Sequence, residues 1–303
     1  MDGSPTAGQA TGAREADRRA GLNLADPHAV GRLLLRQIAA ARTGLADANP
    51  ETAVFQARRR LKKARSTLRL ARPLLGTGYR RLADRLAAVS RRLGAVRDVD
   101  VAAREAGRLV AAFAVDTPVR LALDGFLHRR QRTGGGSHVD DLDFADIARQ
   151  LRIAEGQAAG IVGTTDPVWL IRMALRDCYR RGRHDYRRVI DGRASEEEFH
   201  EWRKRVKTRF HLSKLLPPEA KSGSVKELAR LKALAAALGE DHDIAVLEQE
   251  IAVDPGFSEE IRAMVARQLH GRRRVLRRHA LELGARLYRR KLSAYGERLV
   301  ARG

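Results

Sequence analysis

Residues 51–73 read ETAVFQARRRLKKARSTLRLARP, and residues 196–218 read EEEFHEWRKRVKTRFHLSKLLPP. Each segment opens on Glu, carries a dense run of Arg and Lys, and closes on proline. Leu61, Leu68 and Leu75 follow helical spacing, and none of the alternation of a strand is present, so each segment reads as a helix with an apolar and a basic face. The two segments are copies. Sliding the chain on itself by 145 residues aligns 51–105 with 196–250 without a gap, and 15 of the 55 pairs are identical. Among them are Pro73/Pro218, Gly78/Gly223, Gly94/Gly239 and Asp98/Asp243. Shared proline and glycine at one offset are harder to obtain from compositional bias than shared Leu, Ala or Arg. A duplicated helical unit is therefore expected.

Working outward, helical periodicity covers about 22–42, 51–72, 78–93, 98–113, 117–132 and 141–162 in the first half. In the second it covers about 167–190, 195–216, 224–238 and 243–251, with a long basic helix or helix pair over 258–300. Gly163-Thr164-Thr165-Asp166-Pro167 reads as the main break. The expected fold is all-α: two tandem four-helix bundles related by a pseudo-two-fold, the first over 22–163 and the second over 164–303, with 1–21 as a flexible leader. Gly239 reads as a helix end, with Asp241 or Asp243 capping the next helix.

Composition agrees with this class. The 303 residues are 44% hydrophobic and only 5% aromatic, rich in Ala, Leu and Arg, which favour helix over strand. Cys178 is the only cysteine, which excludes an intrachain disulfide and a cysteine-based zinc site. No apolar stretch approaches the length of a membrane span, and residues 1–21 lack the apolar core of a secretory signal, so a cytoplasmic location is the default expectation. Lys and Arg total 59 against 37 acids, a net charge of +22. Such an excess attracts polyanions.

The charge is concentrated. From Thr52 through Ala83 there is no acid, yet Arg58, Lys62, Arg65, Arg69 and Arg72 stand at i, i+4, i+7, i+11 and i+14, one helical stripe. A solvated helix face normally interleaves acids at i+4, each pair worth about 0.3–0.5 kcal/mol; here those neighbours repel. In the second copy Arg203, Lys207 and Lys214 are the equivalents of Arg58, Lys62 and Arg69, and His211 lies in the same segment. A third acid-free stretch, Ile261–Leu281, includes Arg272, Arg273, Arg274 and Arg277. Arginine holds phosphate oxygens bidentately and lysine supplies a mobile charge. Single-strand nucleic-acid binders add stacking aromatics, and the basic segments have few. A ligand with phosphates and no bases fits better, with nucleic acid as the rival.

Phe199-His200-Glu201-Trp202-Arg203-Lys204-Arg205-Val206-Lys207 and Leu238-Gly239-Glu240-Asp241-His242-Asp243, with their first-copy counterparts around Arg58 and Gly94, resemble the conserved histidine α-helical domain (CHAD) family. The resemblance spans about residues 24–300. It implies two four-helix bundles with a basic central surface that binds inorganic polyphosphate, and an association with polyphosphate granules or with polyphosphate-metabolising enzymes. The family's basic residues map to Arg58, Lys62, Lys63 and Arg65, then to His200, Arg203, Lys204 and Lys207, with His242 as the later histidine. Phe55 departs from the pattern, since the first copy of the family usually opens on His. The residues expected to hold the polyanion are Arg58, Arg59, Lys62, Lys63, Arg65, Arg69, Arg85 and Arg97, then His200, Arg203, Lys204, Lys207, Lys214, Arg230 and His242, and finally Arg274. No cofactor or catalytic set is expected. The enzymatic rival is a metal-dependent phosphohydrolase using His200, His242 and Asp243.

Overall fold

The structure is a computed structural model that describes residues 22–112, 117–133, 139–161, 165–215 and 225–290, with backbone only at 95–105, 109–112, 117, 130–133 and 140. The expected leader at 1–21 and the part of the expected 258–300 stretch beyond residue 290 lie outside these residues. Among the described residues the chain is helical without strands. Its helices longer than one turn are α1 (Ala29–Thr43), α2 (Pro50–Leu70), α3 (Gly78–Ala112), α4 (Thr117–Thr133), α5 (Phe144–Ala159), α6 (Pro167–Val189), α7 (Glu196–Ser213), α8 (Val225–Val253) and α9 (Glu259–Tyr288). Shifted by 145 residues, α2, α3 and α4 fall on α7, α8 and α9.

Local chemistry sets the starts of the two basic helices. Asn49 accepts from the Thr52 amide at 2.9 Å, and Pro50 occupies the first turn of α2. Ser195 and Glu198 form a reciprocal capping box at α7, with Glu196 and Glu197 also in its first turn. Such caps contribute about 1 kcal/mol each, and the acids complement the helix N-terminus. Along α2 the residues Ala53, Ala57, Leu61, Ala64 and Leu68 are buried, a stripe opposite the cations.

Two apolar cores result. One is built by α1, α2, α5, the first half of α3 (Leu82, Leu86, Val89, Leu93) and the first half of α6 (Leu170, Ile171, Leu175). The other is built by α7, α8, α9, α4 (Val119, Leu123, Phe126) and the second half of α6 (Tyr179, Tyr186, Val189). These cores do not follow a division at residue 163: α4 belongs with the later helices, and α6 runs through both.

The structure also corrects two helix boundaries. Gly94 and Gly239 do not end helices; α3 and α8 pass through them unbroken. At Gly94 the missing side chain serves close packing instead, since a Cβ there would stand 3.3 Å from Arg58 Nη1; at Gly239 a Cβ would meet only Lys207 Nζ, at an ordinary 3.9 Å. Asp241 accordingly caps nothing. It is buried and holds Arg273 and Arg277, each through Nε at 3.0 Å.

Candidate functional site

α2 and α7, the two copies of the basic helix, pack directly against each other. Residues 62, 66 and 69 share one face of α2, and residues 207, 211 and 214 share the equivalent face of α7. Ser66 is buried at the centre of the first face, where its hydroxyl donates to the Lys62 carbonyl at 3.0 Å. His211 takes the equivalent place in the second. Its imidazole is pushed down to about 4, first by burial and then by Lys214, Lys62, Lys207 and Arg69. Two of those cations come from each copy. The duplicated stripes therefore converge across the α2–α7 junction.

A second group adjoins the first through Lys207. His200 on α7 and His242 on α8 stand with ring centroids 4.8 Å apart and Nδ1 atoms at 3.4 Å. Burial, followed by Arg203, His200, Lys207 and Arg273, takes His242 down to about 4. His200 is lowered too, by burial, Lys204 and Arg203. Arg203 is largely enclosed; loss of solvent lowers its pKa, opposed by Asp243. Its Nε–H is buried without an acceptor, a condition that folded proteins rarely leave unanswered. Phe55, at the position equivalent to His200, is exposed, so the histidine pair has no counterpart in the first copy.

The remaining expected residues are placed variously. Arg65 and Arg69 stay on the α2 stripe; Arg65 is lowered by loss of solvent and then by Arg69 and Arg91, which brings Arg91 of α3 into the cationic set. Arg58 sits over Gly94 and donates to the Leu93 carbonyl. Arg59 and Lys63 lie half-buried beside the stripe on α2. Lys204 is exposed and paired with Glu201 at 2.6 Å. Lys214 keeps its ammonium 5.4 Å from the Phe210 ring centroid. Arg85 turns to Gln150 on α5, away from the junction. Arg230 and Arg274 are exposed, and among the described residues neither forms a hydrogen bond or ion pair. The side chain of Arg97 lies outside the described residues.

The third basic stretch is different in kind. Arg273 is bound by Asp241, Glu248 and Glu196, and Arg277 by Asp241 and Glu196. Burial alone would lower the Arg273 pKa, but these acids raise it above its ordinary value. Arg272 pairs with Glu240 at 2.5 Å. The stretch lacks acids only along the chain; α7 and α8 supply them in space. Arg209, also in the second basic segment, is fully buried against Tyr179 and Tyr288 and pairs with Glu227. It is a core residue. The Glu240-Asp241-His242-Asp243 run is thus divided among different partners, and among the described residues no three His, Cys, Asp or Glu gather as a metal site.

The contribution of His211 was legible in principle, because it stands at i+4 from Lys207 and i−3 from Lys214, within the stripe. Arg91 carried no such signal, since its repeat equivalent is Ala236.

Fold and site together define an all-helical protein whose cations collect where two copies of one helix meet. The sequence matches the CHAD domain over residues 29–252, and the chain belongs to that family. It is similar in structure to the CHAD domain from the plant Ricinus communis, with a TM-score of 0.52 and 20% identity, covering 93% of this chain and 92% of that one. It is also similar to PptA from Streptomyces chartreusis, with a TM-score of 0.59 and 15% identity, covering 88% of this chain and 99% of that one. At these identities the likeness establishes the fold alone. No curated protein matches the chain. Among the described residues no helix is long and apolar enough to cross a membrane.

Proposed function

We propose that this protein binds inorganic polyphosphate across the α2–α7 junction, between halves related by an approximate two-fold, and does not cleave it. The observation that carries this reading is the convergence of Lys62 and Arg69 with their repeat equivalents Lys207 and Lys214 around His211. Like charges brought together by a fold raise its free energy, and a polyanion laid across them reverses the sign of that term. Lysine and arginine side chains suit a flexible chain of phosphates, which offers acceptor oxygens at every unit and no bases to stack. Arg203, with its Nε–H lacking an acceptor, extends the same surface toward His200 and His242. The aromatic residues nearby are mostly spent in the core: Trp202 is fully buried, and Phe199 packs on it.

A protein that holds the polymer without cutting it gathers where the polymer accumulates, at cytoplasmic polyphosphate granules, and can bring polyphosphate-metabolising enzymes with it. Competition at one fixed salt concentration tests the ligand. Long-chain polyphosphate is expected to displace single-stranded DNA of equal charge, and ready displacement in the opposite direction overturns the assignment. Released orthophosphate on incubation with divalent metal would show a hydrolase instead.

A further inference from the structure

α6 begins earlier than its repeat equivalent. Val30, Leu33, Leu34 and Ala41 of α1 are buried, as are Leu175, Cys178, Tyr179 and Tyr186 at the same 145-residue offset. On that register α1 falls on 174–188, whereas α6 starts at Pro167, about two turns sooner. The inner side of these extra turns is filled, with Leu170 and Ile171 buried in the first core. The outer side carries Trp169 and Met173, one above the other and 45% and 44% exposed.

The charge around this pair has one sign. Arg172 and Arg176 stand one turn apart beside it, and among the described residues neither forms a hydrogen bond or an ion pair. The acids nearest along the chain are taken: Asp177 holds Arg180 and Arg181, at 2.8 Å each, and Asp166 caps the helix by accepting from the Val168 amide at 2.8 Å. Arg176, Arg180 and Arg187 continue the line of Trp169 and Met173 along the exposed side. Cys178, nine residues beyond Trp169 and so on the opposite side of α6, is buried in the same core as Leu212 of α7. The Trp169 face therefore looks away from the α2–α7 junction.

We propose that the Trp169–Met173 face of α6 is a docking surface for an acidic amphipathic helix of a partner protein. The surface is independent of the polyphosphate reading, and its position lets the chain hold polymer and partner on different sides at once. Apolar residues of the partner helix pack over Trp169 and Met173, and glutamates beside them meet Arg172 and Arg176, whose guanidinium groups hold carboxylates bidentately. Tryptophan and arginine are the side chains that most often carry binding energy at interfaces, and methionine adapts its shape to what it meets. A second copy of this chain, with its own net charge of +22, is repelled. The single indole on this face is too little for a row of stacked bases. Two apolar side chains on a line of arginines also make a strip one helix wide, not the broad apolar face of a helix lying in a membrane surface.

The chain has two tryptophans and Trp202 is fully buried, so a change in emission on docking reports Trp169. The test titrates the full chain with a helical peptide carrying leucine at i, i+3, i+4 and i+7 and glutamate elsewhere, beside polyglutamate of equal charge and vesicles of phosphatidylglycerol. The expected result is a saturable blue shift with the peptide and none with polyglutamate or vesicles. Followed by anisotropy of labelled peptide, Trp169→Ser/Met173→Ser and Arg172→Glu/Arg176→Glu each weaken binding at least about tenfold with helicity unchanged. The first of these variants keeps the wild-type affinity for polyphosphate. No saturable shift with the peptide, equal affinity for polyglutamate, or a shift with vesicles only overturns the inference. So does undiminished peptide binding by Trp169→Ser/Met173→Ser, or loss of polyphosphate by that variant, which would put polymer and partner on one surface. Failure of the wild type to bind polyphosphate bears on the proposed function alone.

Discussion

Replacing Asp241 by Asn separates the arginines that build the fold from those that bind. The Asp241 side chain is 5% exposed and accepts from Arg273, itself 9% exposed, and from Arg277, 22% exposed. Removing one partner of a fully buried pair typically costs about 3–5 kcal/mol, because the other charge is left without compensation. Here Glu248 and Glu196 still hold Arg273, and Glu196 is 61% exposed, so water screens part of the loss. The expected cost is about 2–3 kcal/mol, which for a domain of this size lowers the melting temperature by roughly 4–12 °C. Circular dichroism on heating measures it. Polyphosphate affinity, taken well below the transition, is expected to stay within about threefold of the wild type, since the change is smaller than one good hydrogen bond to a charge. A variant as stable as the wild type, or one that stays folded yet loses the polymer, would show that Arg273 and Arg277 belong to the binding surface.

The pH dependence of stability has a definite sign. His211 and His242 both titrate at about 4 in the folded chain and at 6.5 when unfolded. The unfolded state therefore takes up protons first as pH falls, so the stabilisation is complete above about 6.5 and disappears toward about 4, at roughly 3 kcal/mol per histidine and less than additively because both feel Lys207. Urea midpoints in the absence of ligand are expected to fall across that window, and His211→Gln to flatten the fall. Gly239→Ala meets only an ordinary contact at 3.9 Å and gains helix propensity, so chemical denaturation should show it more stable by up to about 1 kcal/mol. Gly284→Ala puts its Cβ 2.6 Å from the Tyr186 ring and 2.9 Å from Trp202, and the overpacking, about 1–3 kcal/mol, outweighs the same gain. Equal stabilities for these two variants would contradict the packing described around α9.

The repeat, the helical class and the two basic stripes were legible because each is written locally. Leu61 and Leu68, expected to face the core from spacing alone, are buried. Lys62, Arg69, Lys207 and Lys214 all act on the His211 ring, because helical register and duplication together fix their directions. What escaped the sequence depends on distant parts of the chain. Arg273 and Arg277 look unneutralised in a stretch without acids, yet Glu196 lies 77 and 81 positions away and reaches both. Gly94 and Gly239 look like helix ends, but both are interior; at Gly94 the cost of an interior glycine, about 1 kcal/mol, is accepted so that Arg58 can lie close to the neighbouring helix. The passage of α6 through both cores has no local signature, because its Leu, Ile and Tyr residues read alike whichever bundle they fill.

The central claim is that cations from both copies act on one ligand. Its most direct test is the affinity of Lys62→Glu, of Lys207→Glu and of the double variant for long-chain polyphosphate at constant salt, beside an Arg274→Glu/Arg278→Glu control on the exposed side of α9. The account predicts that each single reversal weakens binding at least tenfold, that the double variant abolishes it with helicity unchanged, and that the control binds nearly as the wild type does. Comparable losses in the control and the double variant would mean that charge alone, spread over the surface, attracts the polymer, and would contradict a shared junction.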